Sequence, residues 1–469
     1  MAEVYLDMSE LGKAKEYALK ALDFNTFNLN ARKIILVIAR KKEQLESFKM
    51  ELNKILEIDP LNHFAAFEAS LLDAAGLGTM QHIQNEFVEE SILELALEYI
   101  NIGLYKESMQ VLLKAANTVK VKLWISYLLR DSNVTQSQRI LKESLLMPAE
   151  FVSPYRRETI AVLEWATKEN INWKLSYYLA QNYLAVGLKE KAFLLLKACK
   201  NKPNIESFYR FRAVVIENAS YAERLSDYQK ALTLNDKDWK IWDEVIRFFI
   251  VNKKYKKAYS LGMLAVKKFP ENYNIKLLYA KTLFYSKHYM ESIDVLKDLK
   301  LLPSELGDES REVYYNSHLY LATEYIKKEQ YKKAVTVLKN SKVWPENLGL
   351  GKPYDVDTRL EDFLIAIYDK KLTTEQKKAL LYSIIDFTKA HLNTQNINHL
   401  FGLLSLEMLG VDSKNLLLEL KNVNTDNSDL IKLVIAFFEN DEPELILLKN
   451  KAVLSDELWE LMHVARSFK

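Results

Sequence analysis

The chain has 469 residues, too many for one compact core, and only 11 glycines and 9 prolines, so residues that break helices are scarce. Its 65 basic and 63 acidic residues leave a net charge of +2, which gives no bulk attraction to nucleic acid or to an anionic membrane. The single cysteine, Cys199, excludes an intrachain disulfide, and the sequence has no apolar run of about 18 residues, so no membrane span is predicted.

The first 150 residues contain amphipathic segments with the hydrophobic period of helices. Residues 12–28 (GKAKEYALKALDFNTFN) and 52–62 (LNKILEIDPLN) are typical of the second helix of a helical hairpin. Residues 96–116 (ALEYINIGLYKESMQVLLKAA) comprise most of one further hairpin. We therefore predict N-terminal helical repeats over residues 1–150.

The central region carries the clearest repeat, WKIWDEVIRFFIVNKKYKKAYSLGMLAVKKFP at 239–270. Trp242 and Phe249 lie seven residues apart on one predicted helix, and Ala258 and Ala265 lie seven apart on the next. Small residues let two helices approach closely, and Pro270 cannot continue the second helix. This spacing resembles a tetratricopeptide repeat, a helical hairpin of about 34 residues. It predicts an all-α fold, a tetratricopeptide-type α-α superhelix, that is, a right-handed solenoid of hairpins.

The same pattern recurs on both sides of this hairpin, with closing prolines at Pro203, Pro303 and Pro345. Cys199 aligns with the small residues Ala231 and Ala265, so we predict a buried packing cysteine. The residues at the helix crossing recur in steps of 33, 33, 34 and 42 residues, and they are Ala180, Ala213, Ile246, Ala280 and Ala322.

The start of the chain falls inside this pattern. Aligning Ala14 with Ala258 places Met1 within the first helix of a repeat, so the first repeat is truncated. Because a solenoid normally begins with a complete unit, we expect the chain to be the C-terminal part of a longer protein. The first residues lack the regions of a signal peptide, and under this expectation the cellular location stays open.

Two connections in the central region (151–369) are longer than a repeat requires. The sequence PSELGDES at 303–310 accounts for the long step, and WPENLGLGKPYDVDTRLEDF follows at 344–363. Equivalent connections lie on one edge of a solenoid, so loops 303–310 and 344–358 should be neighbours along a rim, where such arrays often bind. Alternatively, Trp344, Leu348 and Tyr354 fold back and seal this edge. The candidate rim-loop residues are Trp344, Asn347, Lys352, Tyr354, Asp357 and Arg359.

Part of this second connection resembles ligand-binding loops only superficially. Residues 349–352 (GLGK) do not form a phosphate loop, because Pro353 follows the lysine and no strand precedes it. The carboxylates after them lack the glycine and the final glutamate of a calcium loop. Thr358 and Glu361 instead predict a capping box, with acidic residues near the positive end of a helix.

A second candidate surface is the groove lined by the first helices. Five of its side chains are basic and only Asp243 is acidic, which favours acidic peptide segments or C-terminal carboxylates. An ordinary solvated face is the alternative. The candidate groove residues are Lys174, Tyr177, Gln181, Arg210, Lys240, Arg247, Asn274 and Lys281, together with Asp243 and Asn316.

Residues 370–469 keep helical periodicity but lose the clear repeat, so we predict degenerate helical hairpins and a C-terminal cap. None of the seven histidines lies in a metal-ligand pattern, and no nucleophile or dinucleotide motif is present. We therefore predict no catalytic residue, no metal and no cofactor, and hence no enzyme.

Four segments resemble a family more specific than a generic repeat. They are 344–364 (WPENLGLGKPYDVDTRLEDFL), 153–166 (SPYRRETIAVLEWA), 173–180 (WKLSYYLA) and 206–213 (ESFYRFRA). They resemble the tetratricopeptide-repeat C-terminal region of large Bacteroidetes-type bacterial proteins. Those proteins carry an N-terminal β-rich, galactose-mutarotase-like domain of unknown function. The resemblance implies a link to carbohydrate only through that domain, and it implies no catalytic residue in this chain.

The predicted function is a non-catalytic scaffold that binds a protein or peptide partner, or the chain's own N-terminal domain. The alternative is an accessory region of a carbohydrate-active or sugar-binding protein, in which Trp344 and Tyr354 would stack on sugar rings. Nucleic-acid binding is disfavoured by the charge balance.

Overall fold

A computed structural model describes residues 1–72, 87–115, 117–303, 307–423, 429–451 and 456–466, and the regular structure in these ranges is helical. The chain divides into two compact units, Met1–Leu234 and Asn235–Lys469. In both units consecutive helices pack against each other as hairpins. The predicted fold class, an all-α repeat of the tetratricopeptide type, is confirmed.

Short turns join most helices of the first unit. These helices are α1 (Ala2–Asp7), α2 (Leu11–Phe24), α3 (Leu29–Lys41), α4 (Leu45–Ile58), α5 (His63–Leu72), α6 (Val88–Asn101), α7 (Tyr105–Leu113), α8 (Val119–Leu129), α9 (Val134–Leu146), α10 (Thr159–Glu169), α11 (Trp173–Ala185), α12 (Lys189–Ala198), α13 (Glu206–Val215) and α14 (Tyr221–Leu234). A longer connection, residues 147–158, joins α9 to α10.

The second unit continues with helices of similar length and one longer helix, α19. They are α15 (Trp239–Val251), α16 (Tyr255–Lys268), α17 (Tyr273–Tyr285), α18 (Tyr289–Lys297), α19 (Gly307–Lys327), α20 (Tyr331–Ser341), α21 (Arg359–Tyr368), α22 (Thr374–Ala390), α23 (His399–Met408), α24 (Lys414–Val423), α25 (Asp429–Glu439), α26 (Glu442–Lys451) and α27 (Asp456–Arg466).

Small side chains allow the helices of each hairpin to pack closely. Cys199 is also buried, its Sγ lies 3.8 Å from the carbonyl oxygen of Trp173, and burial raises the pKa of the thiol to about 11. The prediction of a packing cysteine is confirmed. The residues predicted at the helix crossings are at most 1% exposed, and they are Ala180, Ala213, Ile246, Ala280 and Ala322.

Several turns within the hairpins contain the same hydrogen bond, in which an amide donates to the carbonyl five residues earlier. The residue before this amide has a positive φ, which glycine adopts without strain, as at Gly103 and Gly187. Charged residues also fill this position, as at Glu43 in the first unit and Lys253 in the second. The amide–carbonyl pairs are Leu104–Tyr99, Leu188–Tyr183, Lys254–Phe249, His288–Leu283 and Gln330–Tyr325.

The two long connections of the second unit lie side by side, as predicted. The amide of Leu301 donates to the carbonyl of Asn347 at 2.8 Å, and the Ser310 hydroxyl donates to the carbonyl of Leu348 at 2.9 Å. Residues 307–310, however, form the first turn of α19 rather than loop, and residues 304–306 lie outside the described ranges. The acidic side chains of this turn, Asp308 and Glu309, suit the positive end of a helix.

The C-terminal helices share one hydrophobic core with the helices before them. Buried side chains of α19 and α20 pack in the same cluster as those of α21, α23 and α25, with Phe363, Phe401 and Phe437 each at most 1% exposed. The predicted division into 1–150, 151–369 and 370–469 follows differences in the regularity of the repeat, not the boundaries of compact units. It stays a prediction.

Candidate protein-binding surfaces

The predicted groove residues of the first unit are largely engaged within the chain. The Lys174 ammonium donates to the carbonyl of Leu145 at 2.9 Å, and burial lowers its pKa. Tyr177 is 6% exposed, and burial raises its pKa to about 12. The Gln181 amide donates to the carbonyl of Val152 at 3.2 Å. Arg210 is half-buried on α13.

In the second unit the predicted groove contains a carboxylate that the sequence analysis did not include. The Arg247 guanidinium donates to Glu309 at 2.9 Å and to Asp243 at 2.9 Å, and the Lys281 ammonium donates to Glu309 at 2.7 Å. Burial alone would raise the pKa of Glu309, but the hydrogen bonds from Arg247 and Lys281 lower it. Carboxylates of the chain itself therefore neutralise part of the positive charge expected on this face.

The other groove residues of the second unit have fewer contacts. Lys240 is exposed at the start of α15, where its amide donates to the side chain of Asp238. Asn274 and Asn316 are half-buried on α17 and α19. The role of the groove residues in peptide binding stays a prediction.

The first half of loop 344–358 packs inward. The Arg311 guanidinium lies 4.4 Å from the centroid of the Trp344 ring, and the buried Nε1 of Trp344 has no hydrogen-bond partner among the described residues. Leu348 is 2% exposed and joins the core of Leu296, Leu299 and Leu301. This half of the loop seals the edge of the unit.

Asn347 fastens the same half of the loop to the preceding hairpin. Its side-chain amide donates to the carbonyl of Leu299 at 2.6 Å and to that of Leu296 at 3.2 Å. The tip of the loop differs, because Tyr354 is fully exposed and Lys352 is also exposed. The two predicted aromatic contacts of this loop are thus in opposite environments.

The loop ends in a buried ion pair. Arg359 is 2% exposed, and its guanidinium donates to the two carboxylate oxygens of Asp357 at 2.9 and 2.7 Å. The side-chain amides of Asn396 and Asn398 also donate to Asp357, each at 3.0 Å. Burial alone would raise the pKa of Asp357, but the hydrogen bonds and the positive charge of Arg359, together with the bond from Asn398, lower it. Both predicted rim residues are therefore engaged in an internal clamp.

The same guanidinium reaches two further side chains. It donates to the Thr388 hydroxyl at 3.0 Å and lies 3.0 Å from Nδ1 of His399. Nε2 of His399 lies 2.8 Å from the carbonyl of Thr394, so Nε2 carries the proton and Nδ1 accepts from Arg359. Burial lowers the pKa of His399, which keeps the ring neutral beside the guanidinium.

The capping box predicted from Thr358 and Glu361 is wrong. Thr358 makes no cap bond, and its hydroxyl donates to Asp362 at 2.7 Å, while the side chain of Asp357 accepts the amide of Arg359 at 3.1 Å. Glu361 turns inward and is 1% exposed. Burial raises its pKa to about 7, and its Oε2 has no hydrogen-bond partner among the described residues.

The opposite end of α20 borders an open cleft that the sequence analysis missed. We call it the tyrosine–lysine cleft, and its volume is about 600 Å³. Its lysines outnumber its acidic residues by three, five against two. The lining residues are Glu329, Gln330, Tyr331, Lys332, Lys333, Val335, Thr336, Lys339, Tyr368, Asp369, Lys370 and Lys371.

Two tyrosines form the floor of this cleft. The rings of Tyr331 and Tyr368 stack with centroids 5.0 Å apart and planes inclined by 20°. Tyr368 is 7% exposed, and burial raises its pKa to about 12. Lys339 and Asp369 form an ion pair at 2.8 Å across the two hairpins. The other four lysines are exposed at the rim.

Tight turns hold both walls of the cleft. On one side the Gln330 amide donates to the carbonyl of Tyr325, with Glu329 at φ 57°, so α20 begins at Tyr331. On the other side Thr373 and Gln376 form a reciprocal capping box at the start of α22. The signal available in the sequence was a tyrosine followed closely by two lysines, once at 331–333 and again at 368–371.

The described residues contain no cluster of three or more metal-ligating acidic, histidine or cysteine side chains. Within the same ranges, no helix combines the length and the hydropathy needed to cross a membrane. The side chains of the predicted groove and of the tyrosine–lysine cleft can make ionic, aromatic and hydrogen-bonding contacts.

No protein-family model matches the chain, and no curated protein matches it. Solved structures with low similarity include a tetratricopeptide repeat protein from Parabacteroides merdae, at 15% identity over 60% of this chain and 98% of that one, with a TM-score of 0.27. The C-terminal part of a TPR repeat-containing protein from Cytophaga hutchinsonii matches at 15% identity over 56% and 99%, with a TM-score of 0.31. Yeast Tom70 matches at 14% identity over 97% and 98%, with a TM-score of 0.29.

Proposed function

We propose that the chain is a non-catalytic protein-interaction scaffold that holds a segment of a partner protein in the tyrosine–lysine cleft. The observation that supports this most directly is the cleft itself, a concave surface with an aromatic floor on rigid helical hairpins. Its volume of about 600 Å³ is enough for one or two side chains of a partner peptide.

The chemistry of the floor suits a protein ligand. Aromatic side chains supply a large contact area at a low cost in conformational entropy, which is why tyrosine is common at the centres of interfaces. Val335 is 7% exposed beside Tyr331 and adds apolar surface. A hydrophobic side chain from a partner would replace water over this floor.

The proposal can be tested by placing a photo-crosslinking amino acid at Thr336, which is exposed in the cleft, and at Ser383, which is exposed on α22 outside it. The expected result is one partner captured from the native cell through position 336 and not through position 383. The captured protein is then purified and its affinity for the full chain is measured by isothermal titration calorimetry.

The calorimetry needs matched variants. Tyr331→Ala should weaken binding by roughly 10-fold or more, as expected for an interface anchor. Tyr382→Ala is the control, because Tyr382 is half exposed on α22 and lies outside the cleft. Equal affinities for the two variants would contradict the proposal.

The first-helix face of the second unit is proposed as a further contact surface through Lys240, Asn274 and Asn316. Its charge-reversal test must avoid Arg247 and Lys281, since both hold Glu309 within the chain.

The alternative proposal, an accessory region of a carbohydrate-active protein, is favoured only by the full exposure of Tyr354. A solvent-exposed ring could stack on a sugar, whereas one face of Trp344 is covered by Arg311. Glycan-array binding that Tyr354→Ala abolishes would support this alternative, and unchanged binding would exclude it.

A further inference from the structure

We infer that the tyrosine–lysine cleft binds an acidic peptide segment whose carboxylates face four rim lysines and whose central apolar side chain packs on Tyr331. This inference rests on the proposed function and adds the chemical class of the partner segment. The four rim lysines are Lys332, Lys333, Lys370 and Lys371.

The rim lysines carry positive charge that is not used in ion pairs within the described residues. Among the described residues, none of the four rim lysines forms an ion pair with a carboxylate, whereas Lys339 is paired with Asp369 at 2.8 Å. Lys370 lies 5.7 Å from the centroid of the Tyr331 ring, so one ammonium group stands directly beside the floor. A ligand that brought carboxylates to this rim would meet positive charge without displacing an internal partner.

A cluster elsewhere in the same unit shows how a carboxylate of this chain neutralises basic side chains. Arg247 and Lys281 converge on Glu309, which is mostly buried between them. The rim lysines border a cleft that has only two carboxylates, Glu329 and Asp369, and Asp369 is already in an ion pair. The geometry therefore points to a carboxylate supplied by another molecule.

A further argument comes from the mixture of charge and aromatic surface. A chain of phosphates would require a basic stripe several phosphates long, whereas these lysines surround a cavity of about 600 Å³. The floor of Tyr331, Tyr368 and Val335 accepts an apolar side chain at the centre. An acidic peptide with one aromatic or aliphatic anchor supplies both features.

The use of lysine rather than arginine sets the expected selectivity. An ammonium group is a point charge on a flexible stem, whereas a guanidinium favours bidentate carboxylate geometry. Binding should therefore depend on the number of carboxylates more than on their exact spacing, and it should weaken steeply with salt because the lysines are exposed.

The test begins with selection from a library of random peptides on the immobilised full chain. The inference predicts that peptides retained by the native protein and lost by Tyr331→Ala are rich in Asp and Glu around one apolar residue. Retained peptides of neutral or basic composition would overturn it.

The second part measures the affinity of one selected peptide, labelled with fluorescein, by anisotropy. Lys332→Glu with Lys371→Glu should lower the affinity by roughly 30-fold or more, because two attractive charges become repulsive. The matched control is Lys267→Glu with Lys300→Glu, which changes the net charge equally at exposed positions outside the cleft. Equal losses in the two variants would overturn the inference.

Two further comparisons separate the inference from the proposed function. An analogue of the peptide with Gln for every Glu and Asn for every Asp should bind at least about 10-fold more weakly. A labelled single-stranded oligonucleotide that binds as tightly as the peptide, and is lost in the cleft variant, would overturn the inference. The inference fails, while the proposed function stands, if a partner is captured at Thr336 and the neutral analogue binds the chain as tightly as the acidic peptide does.

Discussion

The surroundings of the two ends of helix α20 differ in how far they are open to solvent. At its C-terminal end, loop 344–358 covers the unit with Trp344, Leu348 and the Asp357–Arg359 pair, and these side chains are engaged inside the chain. At its N-terminal end, Tyr331 and its neighbouring lysines border an open cleft. The end with the unusual sequence is sealed, and the end with an ordinary sequence is exposed. An unusual loop in a repeat protein can therefore be structural, while the surface that we propose for binding uses common residues.

The largest expected effect is at the sealed end, where Arg359→Met removes a buried cation. Asp357 would keep the side-chain amides of two asparagines and the backbone amide of residue 359 but would lose its counter-charge, and Thr388 and His399 would lose their donor. Breaking a buried pair in this way typically costs about 3–5 kcal/mol. Urea denaturation followed by circular dichroism measures this loss. Lys352→Met, in the exposed part of the same loop, should change stability by less than about 0.5 kcal/mol.

The next effect is a dependence on pH that arises from Glu361. Burial raises its pKa to about 7 in the folded chain, above the ordinary value of 4.5, so the folded state holds this proton more tightly. The free energy of unfolding should therefore fall as the pH rises from about 4.5 to about 7, by up to about 3 kcal/mol, and stay low above that.

Glu361→Gln should remove this decline. The variant should equal the native chain near the acid end of the range and exceed it in stability above the raised pKa. The control is Glu346→Gln, at an exposed position of the same loop. Parallel pH profiles for native protein and Glu361→Gln would show that the buried carboxyl does not titrate in this range.

A smaller effect separates the two aromatic residues of loop 344–358. Trp344→Ala removes a half-buried ring that stacks on Arg311, at a cost of about 2 kcal/mol, and should speed amide hydrogen exchange across the loop. Tyr354→Ala removes a fully exposed ring and should leave both quantities unchanged. If both variants behave alike, the loop does not act as a seal.

The smallest effect is at the tyrosine–lysine cleft. Lys339→Met breaks the ion pair with Asp369, and because Lys339 is more than half exposed the loss should be below about 1 kcal/mol. Lys339 lowers the pKa of Asp369, so the contribution is present above the ordinary carboxyl pKa and disappears in acid. Lys332→Met, whose side chain has no described carboxylate partner, is the matched control. A loss at Lys339 comparable to that of Arg359→Met would contradict the contrast between the sealed loop and the cleft.

The local sequence pattern is sufficient to predict the fold. The crossing alanines, the packing cysteine and the adjacency of the two long connections all follow from periods within one or two hairpins, and the structure confirms them. The sequence predicts an insertion between repeats at 303–310, whereas residues 307–310 form the first turn of α19, so the local pattern does not identify this turn as helix.

The candidate sites were harder to predict because they depend on contacts between distant residues. Glu309 meets Arg247 across 62 positions, and His399 meets Arg359 across 40, which no local spacing shows. Thr358 and Glu361 have the spacing of a capping box, yet burial of Glu361 against the core competes with that role. The paired lysines at 332–333 resemble any solvated helix start, and those at 370–371 resemble any solvated turn, until the hairpins bring them together.

The most direct measurement of the central claim is hydrogen exchange of the full chain with and without a selected acidic peptide, read by mass spectrometry. If the peptide binds in the tyrosine–lysine cleft, exchange should slow at 329–336 and 368–371 and should not change at 344–358. Protection of residues 344–358 with none at the cleft would contradict the central claim, because the sealed end of α20 would then be the binding surface.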